Sequence, residues 1–144
     1  MNKILFLCSG NYYRSRMAEE YFNFCARRQG IQWLAESKAL IKDLSKTSNV
    51  GPISPHARQL LADKGIPIQK ERRMPSTLTP GKVDHYQIIV SMSQNEHEPM
   101  IDAFWPGIFP MMDYWEVGDI GVDSPQVAFA KIRKGVDGLI EQLG

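Results

Sequence analysis

The sequence predicts an α/β protein: a three-layer fold with a four-stranded parallel sheet and helices on both faces. Three observations lead there. Strand-like and helix-like segments alternate along the 144 residues, the order that builds parallel crossover units. Two short segments, Lys3-Ile4-Leu5-Phe6-Leu7 and Gln87-Ile88-Ile89-Val90, are almost wholly apolar, the pattern of strands covered on both faces. Ser54-Pro55 and Ser124-Pro125 each set a capping hydroxyl before a proline suited to the first helical position.

Taken in order, the first strand spans about Lys3 to Leu7. A helix follows from near Ser15 to Arg28, with Met17, Tyr21, Phe24, Cys25 and Arg28 at helical spacing and Gly30 as its stop. The second strand covers about Gln32 to Ala39, and a polar loop runs from Ser45 to Pro52. The second helix is capped by Ser54, begins at Pro55, runs from His56 to Lys64 and stops at Gly65. The stretch from Ile66 to Pro80 reads as irregular, carrying the basic run Lys70-Glu71-Arg72-Arg73, and Thr79-Pro80 opens a short helix. Gln87 to Val90 is the third strand, Gln94 to Phe104 a helix, and Tyr114 to Val117 the fourth strand. Ser124-Pro125 starts the last helix, with Val127, Ala128, Ile132, Val136, Leu139 and Ile140 on one face. The whole chain, 1–144, reads as one domain.

Bulk properties exclude several function classes. The net charge is +1 and the hydrophobic fraction 43%, ordinary for a globular protein without a basic nucleic-acid stripe. No apolar run approaches the ~20 residues of a membrane span. Met1-Asn2-Lys3 leads straight into a strand with no signal peptide, and the two cysteines suit a reducing cytosol, so a cytoplasmic location is expected. No cluster of His, Cys and carboxylates has metal-ligand spacing, and neither a metal nor another cofactor is expected.

The chemistry lies after the first strand, in Cys8-Ser9-Gly10-Asn11-Tyr12-Tyr13-Arg14-Ser15. A tight loop feeding a helix points backbone N–H groups at one spot, and the first helical turn adds partial positive charge. Gly10 and Asn11 tolerate the positive φ that such curling needs. Arg14 can grip two oxygens of an oxyanion with its planar fork. Thiols at helix N-termini or beside cations ionise well below the ~8.5 of a free thiol, and Ser15 can donate a hydrogen bond to the Cys8 sulfur. The segment therefore reads as an oxyanion site with a nucleophile beneath it. Cys-x5-Arg alone arises by chance about one time in ten in such a composition. The competing account is a buried structural Cys8 with a solvated Arg14. The preceding strand, the Gly-Asn pair and the immediate helix weigh against it, and ligands of open α/β sheets sit beyond the carboxyl ends of the strands, where Cys8 lies.

These residues resemble the low-molecular-weight protein tyrosine phosphatase family over nearly the whole chain. The family's Cys-x-Gly-Asn-x-Cys-Arg-Ser is matched by Cys8 to Ser15, its Ser-Ala-Gly by Ser37-Lys38-Ala39, its Asp-Pro-x-Ala segment by Ser54-Pro55-His56-Ala57, and its Met-Asp by Met92-Ser93. The resemblance implies that Cys8 is the nucleophile, that Arg14 clamps the transition state, that Asn11 holds the loop with Ser37 behind it, and that Ser15 stabilises the thiolate. Ser9, Gly10, Asn11, Tyr12, Tyr13, Arg14 and Ser15 would then hold the phosphate. It implies a phosphomonoesterase acting through a phosphocysteine intermediate on a phosphorylated protein or small aryl phosphate, phosphotyrosine first. Phosphoarginine hydrolysis occurs in relatives, and bulky Tyr12 weighs against it. Arsenate reduction on the same fold and a catalytically weak anion-binding module are the alternatives.

Three departures from the family stand out. Tyr13 replaces the second loop cysteine, Arg16 replaces the proline after Arg-Ser, and the late Asp-Pro that carries the general acid is missing as such. Cys25 is the other thiol, and its stripe position suits a core role better than a redox one. Three aspartates compete for the acid. Asp113 precedes the fourth strand and is expected at the wrong end of the sheet. Asp119 follows that strand, at the carboxyl end. Asp123 is placed to serve the last helix N-terminus. Asp119 is favoured. Tyr12 either lines the cleft or covers the sheet edge. Trp105 and Trp115 suit core or cleft wall, His56 a surface or capping place and His97 a solvated helical face, and Arg72-Arg73 suits a solvated loop better than attraction of phosphopeptides.

Overall fold

The computed structural model describes residues 1–109 and 111–144. Its strands are β1 (Asn2–Cys8), β2 (Trp33–Ala39), β3 (Ile88–Ser91) and β4 (Asp113–Tyr114), and its α-helices are α1 (Arg14–Gln29), α2 (Pro55–Asp63), α3 (Gln94–Phe104) and α4 (Pro125–Leu143). The sheet is parallel throughout, in the order β2-β1-β3-β4. Leu7 lies between Lys38 and Ser91 in register. The central strand thus delivers Cys8 to the middle of the sheet's carboxyl edge.

The alternation of β1 divides the core in two. Ile4, Phe6 and Cys8 face a cluster with Met17 and Phe22 of α1, Leu61 of α2 and Phe129, Ile132 and Val136 of α4. Leu5 and Leu7 face the opposite side, with Leu40, Val83, Ile101 and Trp105. Both faces of the strand are therefore apolar, as its continuous run requires. No helix of the described residues is long and apolar enough to cross a membrane.

Local signals act where they stand. Ser54 Oγ accepts from the His56 N–H at 3.2 Å and Ser124 Oγ from the Val127 N–H at 3.2 Å, each with Pro at the first helical position. Gly30 ends α1 in the left-handed conformation, at φ 67°. The short helix expected to open at Thr79-Pro80 is a 3-10 helix, Pro80–His85.

Three expectations change. The fourth strand spans Asp113–Tyr114, not Tyr114 to Val117. Trp115 and Val117 still donate their N–H groups to the carbonyls of Ser91 and Met92, each at 2.8 Å, but β3 ends at Ser91 and the ladder has no further strand to follow. On α1, Arg28 is exposed, while the polar residues Arg16, Glu19, Glu20 and Asn23 are buried. The polar side of this helix is covered by the 69–73 segment, whose backbone and side chains bond to Glu19 and Glu20. On α4, Val127 is exposed, although Ala128, Ile132, Val136 and Ile140 are buried as expected.

Candidate active site

The loop between β1 and α1 turns on one residue. Asn11 has φ 52°, the one non-glycine residue with positive φ among those described. Its side chain offsets the strain: Nδ2 donates to Ser15 Oγ at 3.0 Å and to Ser37 Oγ at 2.8 Å, and Oδ1 accepts from the Ser76 N–H at 3.1 Å. Gly10 does not share the positive φ. A Cβ there would lie 3.1 Å from the exposed Asn49 side chain, at Nδ2.

Cys8 Sγ lies 3.0 Å from Ser15 Oγ. Because that oxygen already accepts from Asn11, its own O–H is free to point at the sulfur. Sulfur, loop and the start of α1 line a cavity of about 300 Å³, together with Tyr12, Tyr13, Arg14 and Asp119.

Arg14 is 2% exposed and held from behind. Nη1 and Nη2 form a two-pronged contact with Glu96, at 2.9 and 2.7 Å, and Nη1 also donates to the Val117 carbonyl at 3.1 Å. Nε has no hydrogen-bond partner among the described residues. Burial opposes the guanidinium charge, but Glu96 and Cys8 more than compensate and push its pKa up. Glu96 also accepts from Ser9 Oγ at 2.6 Å. The adjacent His97 ring, and against burial the Arg14 and Ser9 donors, hold its carboxyl well below the usual range.

His97 is fully buried rather than solvated. Its Nδ1 lies 2.8 Å from Ser91 Oγ and its Nε2 3.0 Å from Ser9 Oγ. The i, i+4 pair His97 and Ile101 forms the inner face of α3, a spacing visible in the sequence. Glu96 gave no comparable sign, since its partner Arg14 is 82 residues away. Arg73 is likewise not a solvated side chain. It donates to Glu19 and to Ser37 Oγ, each at 2.8 Å. Arg72 is exposed.

The aspartates separate clearly. Asp119 lines the cavity, half-exposed, with Oδ2 3.6 Å from Arg14 Nη2. Asp123 does not serve the helix N-terminus. It accepts from Lys131 Nζ at 2.7 Å and from the Gly118 N–H at 2.8 Å, and Ser124 caps α4 in its stead. Asp113 is exposed, pairs with Val90 and stands outside the cavity lining.

Two tyrosines shape the walls. Tyr12 does not cover the sheet edge. It lines the cavity, its hydroxyl donating to the Val50 carbonyl at 2.6 Å. Tyr13, in the place of the family's cysteine, is buried, and its hydroxyl has no hydrogen-bond partner among the described residues. Burial first, then the Asp119 charge, pushes its pKa up to about 12. His56 joins the cavity rim, whereas Trp105 and Trp115 pack in the core. Cys25 lines a separate cavity, and burial pushes its thiol pKa up.

This geometry brings the Cys8 sulfur, the Arg14 guanidinium and the Asp119 carboxylate to one small space. Comparison with known proteins agrees with the fold around it. The family model described as low molecular weight phosphotyrosine protein phosphatase matches residues 3–143. A protein-arginine-phosphatase of Bacillus subtilis (strain 168) is 30% identical over 98 residues, which span 68% of this chain and 59% of that relative. The low molecular weight protein tyrosine phosphatase of Streptococcus pyogenes superposes with a TM-score of 0.80 at 19% identity, covering 100% of this chain and 94% of its own. A thioredoxin-dependent arsenate reductase of Corynebacterium glutamicum gives 0.71 at 18% identity, covering 99% of this chain and 62% of its own. With its strand-loop-helix site and a family match over nearly its full length, the chain belongs to the low molecular weight phosphotyrosine protein phosphatase family.

Proposed function

We propose that the protein hydrolyses phosphate monoesters, phosphotyrosine foremost, through a phosphocysteine intermediate on Cys8. The observation that carries this reading is the meeting of Cys8, Arg14 and Asp119 at one cavity. The Cys8 thiolate attacks phosphorus, the S–P bond forms and the P–O bond to the leaving group breaks. Asp119 gives that oxygen its proton. The same carboxylate then takes a proton from water, whose oxygen attacks phosphorus, breaks the S–P bond and releases phosphate. The loop amides of Ser9 to Ser15 and the Nε side of Arg14 bind the equatorial oxygens. Glu96 is a positioning residue: it takes both terminal nitrogens of the guanidinium and so leaves the Nε edge for the oxyanion.

Aromatic walls at Tyr12 and Tyr13 favour an aryl ester. The Bacillus relative is named for phosphoarginine, and the bulk of Tyr12 on the cavity wall weighs against that longer, charged group. A thioredoxin-coupled arsenate reduction needs two further redox cysteines, and Cys25 faces another cavity.

The test is turnover of a phosphotyrosine peptide, a phosphoarginine peptide and arsenate by wild type and Cys8→Ser. Phosphotyrosine should be the preferred substrate, and Cys8→Ser should lose turnover while still binding vanadate. Preferred phosphoarginine cleavage or arsenate reduction would replace the substrate assignment. Retained turnover in Cys8→Ser would remove the mechanism.

A further inference from the structure

A second cavity, of about 310 Å³, opens beside the edge strand β2. Its wall carries Lys3, Lys38, Lys70, Arg73 and Lys82, with Glu36 as the carboxylate among them. Glu36 is engaged by Lys3 at 3.4 Å and accepts from the Tyr86 hydroxyl at 2.6 Å. Behind the wall, the buried Glu19 is shared by Lys70 at 2.7 Å, Arg73 at 2.8 Å and Arg16 at 3.3 Å. Lys38 donates to Ser76 Oγ at 2.9 Å. Neither Lys38 nor Lys82 forms an ion pair among the described residues. Arg73 Nε is buried without a hydrogen-bond partner among the described residues. Burial, and then the charges of Arg73 and Lys82, push the Lys38 ammonium pKa down.

Cations outnumber carboxylates here, and they converge on a hollow rather than spreading over a surface. Mutual repulsion in such a place is relieved by an anion. We propose that this cavity is a second anion site, separate from the Cys8 loop, that takes a small polyphosphate. Lysines and an arginine on several sides suit an anion with charge at more than one phosphorus rather than a single phosphate. The volume lies at the small end of ligand cavities, roughly 300–1,000 Å³, so the occupant is a compact molecule and not a polymer.

The site also touches the Cys8 loop. Arg73 donates to Ser37 Oγ at 2.8 Å and to the Ser37 carbonyl at 3.1 Å. Ser37 Oγ in turn accepts from Asn11 Nδ2 at 2.8 Å. An anion that draws Arg73 toward itself therefore acts on the residue that holds the loop in its positive-φ turn.

Titration of the full chain with pyrophosphate, followed by backbone amide resonances, tests the assignment. The amides of Lys38, Thr79, Lys82 and Tyr86 report this cavity, and those of residues 9–15 report the loop. Pyrophosphate should shift the cavity amides saturably. Lys82→Glu, at an exposed position, should weaken that binding by on the order of tenfold and leave the loop titration unchanged. Inorganic phosphate should bind the cavity at least about tenfold more weakly. Cavity amides that move only as in sodium chloride of equal ionic strength, or that respond equally in Lys82→Glu, would overturn the site. Equal affinity for phosphate would overturn the polyphosphate class. Vanadate read at the loop amides tests the Cys8 site independently, so the two readings fail separately.

Discussion

Arg14 is positioned by a carboxylate 82 residues away in the chain. Glu96→Gln keeps the shape but removes the charge that pairs with the guanidinium. Removing an oxyanion donor outright costs about 10²–10³ in kcat. Loosening one through its support should cost less, on the order of 10-fold in kcat, with KM for an aryl phosphate changed little. Glu96→Asp should fail to restore the rate, since the shorter side chain cannot reach both nitrogens. A purely structural role would show in the melting temperature while kcat held. Asp119 makes a different prediction. A poor leaving group needs a proton and a good one does not. Asp119→Asn should therefore slow the first step, phosphocysteine formation read as release of the leaving group in a single turnover, by on the order of 10²–10⁴-fold for phosphotyrosine and only mildly for p-nitrophenyl phosphate. Equal small losses on both substrates would take the acid role away from Asp119.

At the scale of elements, the contact between α4 and the chain after β4 is tightly drawn. A Cβ at Gly135 would lie 2.6 Å from the Trp115 indole, which itself packs on Phe6 with ring centroids 5.5 Å apart. Gly135→Ala gains up to about 1 kcal/mol of helix propensity, but the overpacking costs about 1–3 kcal/mol. The variant should be less stable in urea, and Gly138→Ala, with nothing within 4 Å, should be more stable. A stabilised Gly135→Ala would show that this contact relaxes freely. Elements of this kind were legible where one local rule decides them: apolar runs for β1 and β3, Ser-Pro for α2 and α4. Less legible were features made by distant partners. The polar side of α1 is buried because residues 69–73 fold over it. The fourth strand is short because its neighbour ends at Ser91. Likewise, Cys8 to Ser15 announces itself as one contiguous segment, whereas Glu96 and the buried His97 join the site only through the sheet and α3.

For the whole molecule, perturbed groups lie on both sides of neutrality. Glu96 and Glu36 have lowered pKa values. Their contribution is present above the unfolded value near ~4.3 and is lost as pH falls through the folded one. Tyr13 is raised to about 12. Its contribution is present below the unfolded value near ~10 and is lost as pH rises toward the folded one. Melting temperature should therefore fall on acidification below about pH 4 and again above about pH 10. Glu96→Gln should flatten the acid limb and Tyr13→Phe the alkaline limb. An acid limb unchanged in Glu96→Gln would remove Glu96 from that account.

In the proposed reaction the phosphoryl group passes through Cys8. Mixing the protein with an aryl phosphate, quenching in acid within milliseconds and mapping the phosphorylated peptide tests it most directly. The phosphoryl group should sit on Cys8, and it should form and decay at rates that account for turnover. Steady turnover with no phosphoryl group on Cys8, or with the group on His56 or Cys25, would contradict the mechanism.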